Sequence, residues 1–184
     1  GVPFSRLVDG SCSHDDLARV TQAAAVMAEH PLYILDTPGI TVEAIRRKAR
    51  RIVQQDPTVG IVTVDYLTLI GATDRRDGRQ EQIAHISRSL KAMAKELGVA
   101  VIALAQLNRA VENRADKHPM LADLRESGQI EQDADLIMFL MRPGYYDETD
   151  TSGDVDVDIA KQRKGRTGRV VLRWTPETTW FADK

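Results

Sequence analysis

Two apolar runs in this sequence end in polar side chains that could do chemistry. Gly60-Ile-Val-Thr-Val64 delivers Asp65, and Val99-Ala-Val-Ile-Ala-Leu-Ala105 delivers Gln106. Neither run has a polar face, as expected of parallel strands covered on both sides by helices. Open α/β sheets bind their ligands at the carboxyl ends of such strands. A carboxylate at that position can hold the magnesium of a bound nucleoside triphosphate, directly or through water. An aspartate there can equally cap the next helix. Gln106, both donor and acceptor, could sense a terminal phosphate or orient water, or simply bond to nearby backbone. If the two strands are neighbours, both side chains point into one crevice.

A second constellation is cationic. In Lys161-Gln-Arg163, strand alternation puts Lys161 and Arg163 on one face, shared with Val155, Val157 and Ile159. Two adjacent cations repel unless an anion lies between them. In a ring of subunits they could reach a neighbour's triphosphate and stabilise charge in the transition state. The plainer alternative is a solvated turn rich in cations. Arg125-Glu-Ser-Gly128 reads as a loop, and an arginine with backbone amides near a glycine suits phosphate contacts with a nucleic-acid strand. Aromatic residues are only 5%, so binding of a single strand would run through its backbone rather than by base stacking.

The elements that must position these residues follow from periodicity. Ser13 caps a first helix carrying Leu17, Val20, Ala24 and Met27 at helical spacing. Leu32 to Leu35 reads as a short strand, and Asp36-Thr-Pro-Gly39 as a turn. Thr41 caps a second helix with Ile45, Ala49 and Ile52 on one face and Arg46, Arg47, Lys48, Arg50 and Arg51 elsewhere. That cationic run is either a solvated surface or a contact for phosphate or an acidic partner. Arg79 to Leu97 is the most regular helix, with Ile83, Ile86, Leu90, Met93 and Leu97 facing a core and Arg88, Lys91 and Lys95 forming a basic stripe. Gly98 ends it. Ala134 to Met141 is a third apolar strand. The alternation of Val155, Val157 and Ile159 with aspartates, followed by Val170 to Trp174, predicts an antiparallel hairpin. The ladder is that of an α/β domain with a mixed sheet.

Composition agrees with one globular domain of 184 residues, 42% hydrophobic and 28% charged. A net charge of -2 leaves any nucleic-acid contact to local clusters, and the single cysteine, Cys12, excludes an internal disulfide. The four histidines have no ligand spacing, and no Cys-x-x-Cys or Gly-x-Ser-x-Gly occurs. No run is long enough to span a membrane.

Several segments together resemble the carboxyl-terminal, RecA-like motor domain of the DnaB family of hexameric replicative DNA helicases. They are Asp36-Thr-Pro-Gly-Ile-Thr41, Ile61-Val-Thr-Val-Asp-Tyr-Leu67, Ile86-Ser-Arg-Ser-Leu-Lys-Ala92, Ala105-Gln-Leu-Asn-Arg109, Asp123 to Asp135 and Lys161-Gln-Arg-Lys-Gly165. The resemblance implies a RecA-like P-loop NTPase core, mostly a parallel sheet with a carboxyl-terminal antiparallel hairpin, incomplete at its amino end. It implies ATP and magnesium as cofactors, and 5′ to 3′ movement on single-stranded DNA by a ring of six. Primase and a helicase loader would engage regions mostly outside this chain, and the setting would be the cytoplasm, at the nucleoid.

Residue by residue, Asp65 matches the Walker B aspartate, and Gln106 the glutamine linking the phosphate site to the DNA loops. Lys161 and Arg163 match the pair supplied to the neighbouring subunit. Arg125, Glu126 and Gly128 match a loop gripping the single strand, and Arg75 and Arg76 lie in another channel-facing loop. One departure is large. The chain contains no Gly-x-x-x-x-Gly-Lys-Ser/Thr, so the backbone cradle for phosphates is absent. The expectation is therefore a fragment of the motor that does not hydrolyse ATP alone. The alternative is a RecA-like module that binds single-stranded DNA or a partner without hydrolysis.

Overall fold

The computed structural model describes residues 1–71, 78–147 and 149–184, and only the backbone of Arg125, Glu126 and Ser127. Two compact units emerge. One comprises residues 35–137 and 160–165, the other residues 1–34, 138–159 and 166–184.

The first unit holds every described candidate residue. Thr41 opens α3 (Val42–Gln55), its Oγ1 accepting from the Ala44 amide at 3.4 Å. β1 (Ile61–Val64) follows, then α4 (Arg79–Leu97) and β2 (Ala100–Ala103). Gly98 ends α4 in the left-handed region at φ 66°, where a side chain would be strained. β1 and β2 pair in parallel, Ile61 opposite Ala100 through Val64 opposite Ala103. Val42, Ile45 and Ala49 of α3, Val64, Leu67, Ile70, and Ile86, Leu90 and Met93 of α4 form one core cluster. The helical stripe predicted for α4 is thus the face that supports β1. A 3-10 turn (Leu121–Ser127) runs into α5 (Gly128–Asp133), whose Ile130 packs on that cluster.

Two expectations are corrected. Among the described residues the β1–β2 pair is covered on one face only: Val64 is buried, but Ile61, Ile102 and Leu104 remain exposed. A four-residue apolar run has the same sequence signature whether one or both faces are packed, so periodicity alone could not separate the cases. Leu32 to Leu35 is irregular and exposed rather than a strand. A strand needs a ladder partner for its backbone groups, and apolar content does not provide one.

The second unit contains α1 (Phe4–Val8) and α2 (His14–Ala28). Ser13 caps α2 as expected, in a box with Asp16. Asp16 is buried, accepts from Arg6 and Arg19 at 2.9 Å each, and has its carboxyl held down to about 2, first by the Ser13 hydrogen bonds and then by Arg6. The helix's apolar side chains Leu17, Val26 and Met27 are exposed.

β3 (Leu136–Met141), β4 (Asp154–Gln162), β5 (Gly168–Thr175) and β6 (Trp180–Asp183) form a four-stranded sheet in that order. β4 and β5 make the predicted antiparallel hairpin, and β6 extends it through an antiparallel pairing of Trp174 with Phe181. The mixed α/β architecture expected from the ladder is thus present, its described strands forming a parallel pair and a four-stranded sheet.

Candidate functional site

Parallel pairing brings the two strand tips to the same edge. The Leu104 amide donates to the Val64 carbonyl at 3.0 Å, and the Leu67 amide donates to the Leu104 carbonyl at 3.0 Å. Asp65 follows Val64 directly and Gln106 lies two residues beyond Leu104, so the ladder sets the edge at which both stand. Asp65 is exposed and makes no side-chain hydrogen bond or ion pair with any other described residue. Gln106 opens into a cleft of about 130 Å³ with Leu67, Thr68, Arg79, Ile83, Asn108 and Asp123 on its walls. Asp65 is not among the residues lining this cleft. The two strand tips share one edge of the parallel pair.

A single exposed carboxylate suits magnesium, which keeps several waters and takes one or two protein carboxylates plus phosphate oxygens. Among the described residues no group of three or more His, Cys, Asp or Glu is poised around a metal. Asp65 thus fits the magnesium of a nucleotide better than a protein-caged ion.

The cleft wall is braced by an ion pair that sequence reasoning missed. Arg114 donates from both terminal nitrogens to Asp123, each at 2.9 Å, and from Nη2 to the His118 carbonyl at 2.7 Å. Asp123 is buried, and its Oδ2 also accepts from the Met120 amide at 2.8 Å. Bidentate geometry with a buried carboxylate is the strong form of this contact. It ties the stretch after Gln106 to the start of the turn carrying Arg125.

Residues 125–128 were expected in a loop. The backbone is instead a 3-10 turn leading into α5, because Asp123 caps it and Leu124 is buried beneath it. Gly128 has ordinary helical angles, φ -53° and ψ -23°, and a Cβ there would meet nothing within 4 Å. The side chains of Arg125 and Glu126 lie outside the described residues, as do Arg75 and Arg76 altogether.

The two cations at the end of β4 are held. Lys161 Nζ donates to the Glu131 carbonyl, and Arg163 Nη2 donates to the Gln132 carbonyl at 2.9 Å. Arg163 Nη1 lies 3.3 Å from Asp135 Oδ1, and the Arg163 amide donates to the Asp135 carbonyl at 2.8 Å. Asp135 Oδ2 pairs with Lys91 of α4. The Lys91 hydrogen bond, with smaller contributions from the charges of Lys91, Arg163 and Lys161, holds the Asp135 carboxyl below its ordinary value. Lys91 was legible as part of a basic stripe, but its partner was not.

The basic run of α3 is partly consumed. Arg46 and Arg50 both donate through Nε to Glu96, each at 2.6 Å, and Lys48 reaches Thr37 at 3.4 Å.

The sequence profile of the DnaB-like helicase C terminal domain matches residues 1–183. The chain belongs to that family. The replicative DNA helicase DnaC of Bacillus subtilis (strain 168) is 46% identical over 176 residues, covering 95% of this chain and 38% of that protein. The replicative DNA helicase DnaB of Geobacillus stearothermophilus is 44% identical over the same length. This DnaB-like chain therefore spans well under half the length of these curated relatives.

Among solved structures, an ATPase domain superposes with a TM-score of 0.94 at 41% identity, covering all of this chain and 66% of that one. A DnaB-like replicative helicase, described with its interactions with primase, superposes at 0.89 and 44% identity, over 94% of this chain and 42% of that one. The RecA-like α/β fold of the family is thus the fold of this chain. No described helix is long and apolar enough to cross a membrane.

Proposed function

We propose that this chain is the carboxyl-terminal part of the ATP-driven motor of a hexameric replicative DNA helicase moving 5′ to 3′ on single-stranded DNA. The observation that carries the reading is the shared edge of two parallel strands presenting Asp65 and Gln106, in a chain of the DnaB-like family.

Asp65 would hold magnesium through water, and the ion would offset phosphate charge. Gln106 senses the terminal phosphate and passes its state along the Arg114–Asp123 brace to residues 125–128, which grip the DNA backbone. Arg75 and Arg76 add channel contacts. Lys161 and Arg163 reach the triphosphate of the adjacent subunit. The relatives' greater length leaves room for a phosphate cradle outside these 184 residues. Without that cradle the 184 residues do not turn over ATP. Primase and a loader act on other parts of the assembly, in the cytoplasm at the nucleoid.

The test is ATP hydrolysis stimulated by single-stranded DNA, for this chain and for a version extended upstream through a phosphate loop. The extended chain should turn over and the short one should not. Arg163→Ala in the extended chain should lose about a thousandfold or more in kcat, the range for an arginine supplied to a neighbouring site. If the extended chain binds single-stranded DNA but never hydrolyses ATP, the non-hydrolysing binding module replaces this reading.

A further inference from the structure

Lys161 and Arg163 stand on one side of a strand end, and such a pair needs an anion or dipole to settle it. The structure supplies two. The last turn of α5 presents the Glu131 and Gln132 carbonyls, which have no intrahelical partner and carry the negative end of the peptide dipoles. Asp135 supplies a full charge, and its carboxylate is divided: one oxygen to Lys91, the other to Arg163.

The two cations are not held alike. Lys161 is hydrogen-bonded to one carbonyl and adds its charge beside Asp135, whereas Arg163 is gripped by a carbonyl, a carboxylate and its own amide. A guanidinium has five N–H donors in a rigid fork. Among the described residues Nη1 and Nη2 have partners and Nε has none, and the side chain stays half exposed, at 49%. Arg163 is therefore fixed through both terminal nitrogens, and its fork holds more N–H groups than these contacts use. Lys91, in turn, anchors Asp135 to α4, the most deeply packed helix of the unit.

We infer that Asp135 is a positioning residue for Arg163, holding Nη1 of a guanidinium whose Nη2 rests on the Gln132 carbonyl, so that its remaining N–H donors are set toward a phosphate on an adjacent subunit. This rests on the reading of Arg163 as the cation given to a neighbour's triphosphate. Asp135 touches no substrate; it acts by removing the rotamer search that a free arginine makes before each encounter. A low carboxyl pKa keeps it charged at neutral pH. Asp135 is itself exposed, so replacing it opens no cavity.

The experiment uses the chain extended through a phosphate loop, with four variants: Asp135→Asn, Asp135→Glu, Arg163→Ala and the double change Asp135→Asn with Arg163→Ala. Asp135→Asn should lower DNA-stimulated kcat about tenfold, a fraction of what misplacement of a catalytic group can cost. KM for ATP should stay within about twofold, since nucleotide binding is not its task. Asp135→Glu should recover most of the rate. The double variant should equal Arg163→Ala alone, because residues acting through one another do not add.

An Asp135→Asn enzyme with unchanged kcat overturns the inference. So does an equal further loss on top of Arg163→Ala, which would mean that Asp135 acts elsewhere or only stabilises the fold. If Arg163→Ala itself turns over normally, the reading of Arg163 fails, and this inference with it. That result is distinguishable because it needs no Asp135 variant.

Discussion

The two sides of α4 do different work. One side, Ile83, Ile86, Leu90 and Met93, is buried, and from Ile86 onward it belongs to the core cluster that includes Val64 of β1. The other bonds through polar groups: Ser87 to Asp133 at 2.8 Å, Arg88 to Gln129 at 3.5 Å, and Lys91 to Asp135. The apolar side fixes where the strand tips lie, because burial is strong and has no direction. The polar side fixes how α5 and the start of β3 are oriented, because hydrogen bonds are weak in net terms but directional. Asp65 and Gln106 depend on the first; Arg163 depends on the second. A helix of one periodicity thus serves two candidate sites by two kinds of force.

The largest break should come from the apolar side. Met93 is fully buried at 0% exposure, so Met93→Ala removes packing that nothing nearby replaces. Unfolding free energy should fall by about 2–5 kcal/mol, read as a shift of the urea midpoint with unchanged slope. A loss below about 1 kcal/mol would mean that the tips are not supported by this core. On the polar side, Ser87→Ala should cost about 1–2 kcal/mol, since Ser87 is buried and, among the described residues, Asp133 keeps its side-chain bond from Gln129 at 3.0 Å. Its signature is local. Amide exchange should speed up in α5 and hardly change in α3, whereas Met93→Ala should affect both.

Acid separates the sides without mutation. The Asp135 carboxyl is held below its ordinary value, chiefly by Lys91, so its folded pKa is lower than its unfolded one. The contribution of that pair is complete above about pH 4 and disappears as pH falls further. The apolar stripe does not titrate. Backbone resonances at the end of α5 and the start of β3 should shift with the Asp135 titration, while those of Leu90 and Met93 stay in place. Because Asp135 is exposed, the accompanying change in stability should be small.

The difference between the sides also explains what the sequence could reveal. The apolar stripe was legible because helical burial repeats every three or four residues, and α4 shows this from Ile83 to Met93. The strand-end placement of Asp65 and Gln106 was legible because each ends a run of apolar residues. The shared face of Lys161 and Arg163 followed from strand alternation. What settles those cations did not, since two of the acceptors are backbone carbonyls about thirty residues upstream. Carbonyl direction is a property of the fold and leaves no residue-type signal. The Arg114–Asp123 brace was hidden for a related reason, as a bidentate pair across nine positions has no periodicity. The bare face of β1–β2 and the irregular Leu32–Leu35 segment show the limit of apolar runs as guides: they mark chain able to be buried, not what buries it.

Gly128 gives the smallest change in stability and the sharpest sign. It begins α5, the helix that the polar side of α4 holds, and its angles are those of any helical residue, with open space where a Cβ would go. Nothing among the described residues requires a glycine there. Gly128→Ala should therefore stabilise the chain by about 0.4–1 kcal/mol, because alanine has less freedom to lose on folding. If a nucleic-acid backbone passes close to residues 125–128, the added methyl stands between it and the amides. Affinity for a single-stranded oligonucleotide, read by fluorescence anisotropy at fixed salt, should then fall while the urea midpoint rises. A glycine kept for the fold would give the opposite pairing, lower stability with binding lost only through unfolding. Unchanged affinity in a stabilised variant would remove Gly128 from the proposed DNA contact and leave that contact to the neighbouring arginine.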